Sequence, residues 1–279
     1  MDRVAKDNLS QRLLFIELLA WWEGAVSNKQ LMTQFGVSRQ QAYQDLKTYA
    51  ERHPHNLVRS NAGFAPTASF IPYFISTDVN HYLHWFAGGQ LYIDNPATPA
   101  GVSELRLPPR TVSAEVIRAL VQGIRRQKRV EVDYVSLSNP ENDGRIFHPH
   151  TFVNTGLRWH VRGYCEKSQG YRDLVLSRFR GAADVLDDSP HGMAGDNAWQ
   201  TRITLILQPD PRLSAAKQAV LANDYRMEGG QLVLNTRAAL ANYLLHELQV
   251  NTKMLDGTPE AQQLVLVNRD DIKQWLFSG

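Results

Sequence analysis

The chain has 279 residues, of which 43% are hydrophobic and 21% charged, and its formal net charge is +2. This composition excludes a disordered chain and leaves room for two or three domains, each with its own core. The sequence shows no apolar run long enough to span a membrane and no secretory leader, and its one cysteine, Cys165, excludes an internal disulfide, so we expect a cytoplasmic protein with no membrane partner.

The chain begins with a pattern of helices separated by turns. Apolar side chains recur at helical spacing between Ser10, a residue type that caps helices, and Gly24, which can end one. A second helix is predicted to begin at Ser27 or Asn28. It ends at Gly36, because glycine supplies the backbone freedom that a tight turn needs.

A third helix and a hairpin follow this turn. Ser38 is a suitable N-cap for a helix that Pro54 ends. Short apolar pieces within 57–64 predict a hairpin, and the pattern over 77–87 predicts another helix. Residues 94–101 have the proline-rich composition of a linker.

The hydrophobic period changes from that of a helix to that of strands in the middle of the chain. Ser113 caps a predicted helix, and alternation with a period of two begins at Val130. The predicted strands cover 130–134, 146–153, 158–165, 172–179 and 183–186. Short strands with turns between them are typical of a small barrel or sandwich.

The last third mixes strands and helices, which predicts a small α/β domain. Its predicted strands are 203–207, 232–234 and 264–267, and its predicted helices are 214–222, 238–248 and 270–277. We therefore predict an α+β fold with three domains, which cover residues 1–96, 97–190 and 191–279.

The second and third helices have the spacing of a helix-turn-helix, in which the N-terminal part of the second helix enters the major groove of DNA. Its outward side chains are of the types that contact base edges and phosphates, since Arg suits guanine, Gln suits adenine and Lys suits phosphate. The candidate DNA-binding residues are Ser38, Arg39, Gln40, Gln41, Tyr43, Gln44 and Lys47. The alternative from the residues alone is an ordinary helical hairpin with a polar outer face.

The segment 36–46, with the sequence GVSRQQAYQDL, resembles the recognition segment of DeoR-like winged helix-turn-helix repressors. The stretches 56–58 and 63–66 are similar to the wing of such proteins. The resemblance implies a DNA-binding domain at the N-terminus.

Residues 104–187 resemble a WYL domain, which implies a central Sm/SH3-like β-barrel. The signature Trp-Tyr-Leu occurs as Trp159-His160-Val161, so only the Trp is retained. This stretch is also the most basic, with 14 lysines and arginines against 10 aspartates and glutamates. Both observations favour an anionic ligand, and the resemblance implies a nucleotide or nucleic-acid fragment.

The resemblance assigns the ligand site to residues with hydroxyl, imidazole and guanidinium donors, which suit phosphate oxygens. The candidates are Tyr134, Ser136, His150, Trp159, Arg172 and Arg178. Arg172 and Arg178 lie about 20 Å apart along a straight strand, so both reach one small ligand only if the strand bends sharply. The alternative is that some of these arginines, and also Arg158 and Arg162, are solvated surface charge.

Other chemistry finds little support in the sequence. The motifs His53-Pro54-His55 and His148-Pro149-His150 have no cysteine or carboxylate cluster beside them, so we predict no metal site and no cofactor. Cys165 is predicted to be a small core residue. The sequence contains no nucleophile elbow, phosphate-binding loop or dinucleotide motif, so no catalytic residue is assigned.

The predicted function is that of a homodimeric transcriptional repressor that binds a palindromic double-stranded operator and responds to an anionic nucleotide or oligonucleotide. The domain order resembles that of regulators of phage-defence operons, such as those of BREX or CBASS systems. The alternative is a nucleic-acid-binding accessory protein or enzyme subunit that acts through the barrel.

Overall fold

The computed structural model describes residues 2–61, 63–89, 110–141, 143–252 and 257–276, with side chains from residue 9 onward. The chain forms two compact units. The first comprises Met1–His150 and Tyr164–Ser189, and the second comprises Thr151–Gly163 and Pro190–Gly279. The predicted linker at 94–101 and the predicted domain boundary at 96 lie outside the described residues.

The N-terminal part of the first unit is a set of helices with a two-stranded hairpin. Its elements are α1 (Asp2–Glu23), α2 (Asn28–Phe35), α3 (Arg39–Arg52), β1 (Leu57–Ser60), β2 (Gly63–Pro66) and α4 (Val79–Phe86). The hairpin is antiparallel, with Leu57 opposite Pro66 and Ser60 opposite Gly63. One helix boundary was predicted wrongly, because Ser10 lies inside α1 rather than at its start.

Local side-chain chemistry explains where α2 and α3 begin and end. Ser27 caps α2, and the side chain of Gln30 accepts from the Ser27 backbone N–H at 2.9 Å, which completes a capping box. Gly36 ends α2 in the left-handed conformation, with a φ of 65°. Ser38 then caps α3 by accepting from the backbone N–H of Gln41 at 3.1 Å. The turn between the two helices is therefore set by residues 36–38.

The middle of the chain is built on one helix and a sheet, and residues 151–163 of this part belong to the second unit. The helix α5 (Ala114–Arg126) buries an apolar face and is followed by β3 (Lys128–Tyr134). The other strands are β4 (Asp143–Asn154), β5 (Trp159–Cys165), β6 (Gly170–Val175) and β7 (Phe179–Asp188). The sheet has the order β6-β5-β4-β3-β7, with β3 antiparallel to both β4 and β7. Within the described strands it does not close on itself, so a closed barrel is not confirmed.

The structure tests two predictions about this sheet, one on the strand 172–179 and one on Cys165. The predicted strand 172–179 is interrupted, because Leu176–Arg178 forms a 3-10 turn between β6 and β7. The chain therefore does bend before Arg178, as the shared use of Arg172 and Arg178 would require. Cys165 is fully buried and free, as the sequence predicted.

The second unit includes a three-stranded sheet packed against helices on one face. Its elements after residue 190 are α6 (Asn197–Gln200), β8 (Arg202–Pro209), α7 (Ala215–Asp224), β9 (Leu232–Arg237), α8 (Ala241–Glu247), β10 (Leu264–Leu266) and α9 (Arg269–Ile272). The strand order is β10-β8-β9, and all pairs are antiparallel. Leu205, Leu207 and Leu264 form the core with Leu245 of α8 and Ile272 of α9. The predicted mixture of α and β elements is thus confirmed.

None of the described helices has the length and apolar character of a membrane span.

Candidate nucleic-acid interface and ligand site

The helix α3 turns one face inward and the other outward. Ala42, Leu46 and Tyr49 are buried, and they pack α3 onto the rest of the domain. All seven residues that the sequence assigned to DNA contact are exposed: Ser38, Arg39, Gln40, Gln41, Tyr43, Gln44 and Lys47. The structure therefore brings together, on one exposed surface, the polar groups that a DNA groove would accept.

A buried carboxylate fixes the C-terminal half of α3. Glu17 of α1 accepts from the Tyr49 hydroxyl at 2.9 Å, and its other oxygen accepts from the backbone N–H groups of Tyr73 and Phe74 at 2.6 and 2.7 Å. Asn56 donates to the same hydroxyl at 2.9 Å. Burial, together with the charge of Glu17, raises the pKa of Tyr49 far above its usual value. These bonds leave no unpaired group on the Glu17 carboxylate, so α1 and α3 are held in one orientation.

An ion pair also joins α1 to the N-terminal half of α3. Asp45 is buried, and Arg12 donates to its two carboxylate oxygens at 2.7 and 3.3 Å. Gln41 donates to the same carboxylate at 2.9 Å. The pairing offsets the negative charge of Asp45 within α3, so this carboxylate would not repel an anionic partner there.

A groove of about 620 Å³ lies between α2, α3 and the hairpin. Arg39 and Tyr43 line it from α3, and Lys29 lines it from the first turn of α2. Arg59 lines it from β1, with its guanidinium 5.8 Å from the ring centroid of Phe64. Sequence reasoning missed Lys29 and Arg59, although a lysine in the first turn of α2 and an arginine in the wing were visible signals.

Three of the predicted ligand residues lie together in the first unit. Tyr134 ends β3 and its hydroxyl accepts from the backbone N–H of Val175 at 3.0 Å. The neighbouring Val135 donates its backbone N–H to the carbonyl of Arg178 at 3.1 Å, which places the loop of Ser136 beside Arg178. The Arg178 guanidinium is half-buried and makes no hydrogen bond or ion pair with any described residue.

Arg145 joins this group and was not predicted. Its guanidinium lies 5.1 Å from the ring centroid of Tyr134, and one of its nitrogens is 3.3 Å from Asp143. Its Nε is buried and has no hydrogen-bond partner among the described residues. An unsatisfied buried donor is costly, so this nitrogen favours an anion nearby. Arg145 lies one residue before the predicted strand 146–153, and its place opposite Val132 follows only from the register of β3 and β4 in the structure.

The other predicted ligand residues have different surroundings. His150 lies 5.9 Å from the ring of Tyr171, and Arg172 donates back to the carbonyl of Tyr171 at 2.9 Å. Trp159 is buried in the second unit. Arg162 is neither solvated nor open to a ligand, because it donates to both carboxylate oxygens of Asp196 at 2.6 and 3.0 Å. The described contacts thus join Tyr134, Ser136 and Arg178 through the backbone of β3 and the 3-10 turn, and place His150 and Arg172 around Tyr171.

Two arginines of α5 form hydrogen bonds with residues of α1. Arg118 donates to the backbone carbonyl of Trp21 at 2.6 Å, and its guanidinium lies 5.7 Å from the indole centroid. Arg125 forms a two-pronged ion pair with the buried carboxylate of Glu23. Tyr82 also hydrogen-bonds Glu23, at 3.2 Å. The N-terminal helices and the helix that leads into β3 are thus joined within the first unit.

The second His-Pro-His motif is part of a polar network. The ring nitrogens of His148 lie 2.6 Å from Ser189 Oγ and 3.0 Å from Glu166 Oε1. Hydrogen bonds from Arg129 and then from His148 hold the pKa of Glu166 below its usual value. Over the described parts of the chain, no three His, Cys, Asp or Glu side chains are grouped to hold a metal ion.

Comparison with known families identifies three domains in this chain. Residues 8–88 match the family described as the BrxR transcriptional regulator winged helix-turn-helix domain. Residues 115–183 match the WYL domain. Residues 202–272 match the C-terminal dimerization domain of the BrxR transcriptional regulator. The predicted winged helix and WYL domain are therefore confirmed.

The chain also resembles curated proteins over nearly its whole length. The DNA-binding transcriptional repressor CapW of Pseudomonas aeruginosa is 34% identical over 94% of this chain and 90% of its own. The repressors of the same name from Escherichia coli (strain KTE188) and Stenotrophomonas maltophilia are 33% and 29% identical, over 94% and 96% of this chain and 90% and 92% of their own. These names are those of repressors and not of enzymes.

A solved structure also aligns with the chain. Proteasome accessory factor B/C (PafBC) of Arthrobacter aurescens covers 96% of this chain and 48% of its own, at 16% identity. The TM-score of 0.25 is too low to establish a shared fold.

Proposed function

The chain belongs to the family of CapW DNA-binding transcriptional repressors, and from that membership we propose that it represses a promoter by binding a palindromic operator as a homodimer. The observation that carries this proposal is the exposed polar face of α3, held by buried contacts to α1. A repressor needs such a face, because base edges are read by side chains that a rigid helix presents to the groove.

The proposed interface extends beyond α3 to the groove and the hairpin. Lys29, Arg39 and Arg59 line one concave surface and supply three positive charges. Such charges bind phosphates and make the affinity fall with salt. We assign phosphate contacts to Lys29, Arg59 and Lys47, and base contacts to Arg39 and Gln44, since a bidentate guanidinium or amide reads guanine or adenine.

The experiment that tests this function is a mobility-shift titration with the duplex upstream of the chain's own operon. We expect a shift that random duplex of equal length does not compete away. Arg39→Ala and Gln44→Ala should each weaken operator binding by roughly tenfold, with random-duplex binding changed much less. Arg226→Ala is a matched control, because Arg226 is exposed in the second unit, far along the chain from α3. Equal competition by random duplex would reject the operator-repressor function.

We also propose that the WYL domain senses an anionic nucleotide or oligonucleotide, bound by Tyr134, Ser136 and Arg178 together with Arg145. The unpaired guanidinium of Arg178 and the unsatisfied Nε of Arg145 support an anionic ligand. His150 and Arg172 are the further contacts of the first unit proposed from the family, and they suit an extended ligand better than a single phosphate. Trp159 belongs to the second unit and stays a prediction from the family alone. The ligand must bind the DNA-bound and free conformations unequally, since otherwise it cannot alter repression.

The controlled genes are proposed to be a phage-defence operon, as the domain order suggested. The signal would then be a nucleotide or nucleic-acid fragment that appears during infection. A repressor of such an operon acts on cytoplasmic DNA, in keeping with the single buried cysteine.

A further inference from the structure

The helices α2 and α3 begin with the same four-residue pattern but use it differently. Both start with Ser-x-x-Gln, as Ser27 to Gln30 in α2 and Ser38 to Gln41 in α3. In α2 the glutamine reaches back, and its Oε1 accepts from the Ser27 backbone N–H at 2.9 Å. In α3 the glutamine reaches forward, and its Nε2 donates to Asp45 Oδ1 at 2.9 Å. The capping box is closed in the first helix and open in the second.

The residue one turn further along explains the difference. Gln34 is the residue four positions after Gln30, and Asp45 is the residue four positions after Gln41. A glutamine at that position offers no charged acceptor, whereas the buried carboxylate of Asp45 does. Arg12 holds this carboxylate in place with two hydrogen bonds, at 2.7 and 3.3 Å. Asp45 therefore draws the Gln41 amide away from the helix cap.

The chemistry of a carboxylate also fixes which way the Gln41 amide faces. An ionised carboxylate only accepts, so Gln41 must turn its NH₂ group toward Asp45. This leaves Oε1 and the second N–H of Nε2 without a partner among the described residues, on an exposed side chain in the first turn of α3. An acceptor and a donor side by side match the N6 amino group and N7 of adenine in the major groove.

We infer that Asp45 is a positioning residue, which withdraws Gln41 from its helix cap and presents the Gln41 amide to one adenine in each operator half-site. This inference rests on the proposed function and adds the base that is read there. The ion pair between Arg12 of α1 and Asp45 thus contributes to sequence specificity without touching DNA.

The test begins with selection of bound sequences from a random duplex library by the full-length protein. Each adenine of the selected operator is then replaced in turn by 7-deazaadenine, which keeps its base pairing but lacks the N7 acceptor. We expect the wild-type chain to prefer adenine at one half-site position by about fivefold or more. Gln41→Ala should bring this ratio close to one at that position and leave the ratios at other positions unchanged.

The variants of Asp45 separate positioning from a loss of fold. In Asp45→Ala the acceptor is gone, so Gln41 should return to the Ser38 N–H and the same ratio should fall close to one. Asp45→Asn keeps the size of the side chain. Its oxygen faces Arg12 and its NH₂ group faces Gln41, so the Gln41 amide must turn its own oxygen inward, and the match to adenine should be lost as well. The double variant of Gln41→Ala with Asp45→Ala should show the same ratio as either single variant. Gln34→Ala is the matched control and should leave every ratio unchanged.

The ratio is a suitable readout because a lost phosphate contact or a weakened fold lowers the affinity for both duplexes alike. Circular dichroism and thermal unfolding should show a folded chain for at least one of the two Asp45 variants. An unchanged adenine ratio in a folded Asp45 variant would overturn the inference, as would a selected operator in which no adenine responds to Gln41→Ala. If selection enriches no sequence at all, the proposed function itself fails.

Discussion

At the scale of single residues, charged groups in this protein differ mainly in whether they have a partner. Arg12, Arg125 and Arg162 each pair with a buried carboxylate, and such pairs hold elements together. The guanidinium of Arg178 has no partner among the described residues, although this side chain is half-buried. A guanidinium left unpaired in such a place is better explained by a ligand than by stability.

We predict that Arg178→Ala removes the response to the signal and leaves basal DNA binding within about twofold of the wild type. The alanine loses the planar donor fork that holds an anion, and the residue is far along the chain from α3. The measurement is a promoter reporter in infected and uninfected cells, combined with operator titration of the purified variant.

The comparison variant for this prediction is Arg172→Ala, which removes an outer contact of the proposed extended ligand, because Arg172 is exposed and donates to its neighbour's carbonyl. We expect a smaller loss of response for this variant than for Arg178→Ala. A normal response of the Arg178→Ala variant would remove this residue from the proposed ligand site.

At the scale of elements, the turn between α2 and α3 is set by one glycine. Gly36 has a φ of 65°, and a Cβ added there would meet nothing within 4 Å. The cost of a side chain is therefore conformational strain and not a clash. We predict that Gly36→Ala lowers the free energy of unfolding by about 1 kcal/mol.

Chemical denaturation of the full chain measures this difference. Gly36→Asn is the matched control, since asparagine tolerates the left-handed region better than alanine does, and it should be destabilised less. Equal stability of the alanine variant and the wild type would mean that the turn relaxes to another geometry.

The elements also show which helix boundaries and contacts could be predicted from the sequence and which could not. Ser38 and Gly36 were found because caps and turns depend on neighbours within a few residues. The start of α1 was misplaced, because most residues of the stretch 2–12 are polar, so the sequence pattern gives little helical signal at residue 2. The pairing of Arg162 with Asp196 joins residues that are 34 positions apart, and no local pattern encodes such a contact.

At the scale of the whole molecule, an open sheet face in the second unit needs an explanation. Val233 of β9 is 54% exposed and pairs with Ile206 of β8, and Val265 of β10 pairs with Gln208 in the same sheet. These residues point away from the face that carries Leu205 and Leu207. Because the family match over 202–272 is to a dimerization domain, we expect this face to meet a second copy of the chain.

We predict that Val233→Asp shifts the protein from dimer to monomer and weakens operator binding, since a buried unpaired carboxylate opposes association. Sedimentation measures the mass, and a mobility shift measures binding. Val220→Asp is the matched control, because Val220 is a valine of similar exposure on α7, and this variant should remain dimeric. A dimeric Val233→Asp variant would place the contact elsewhere.

The attachment of α1 to α5 limits how the protein can be dissected. Glu23 is almost completely enclosed, and the guanidinium opposite it comes from residue 125, well past the end of the winged-helix match at residue 88. A fragment that ends near residue 96 would lack Arg125 and would leave the buried carboxylate of Glu23 without its counter-ion. We therefore expect the winged-helix part to depend on α5, and its excision without α5 should yield a less stable protein than the family boundary suggests.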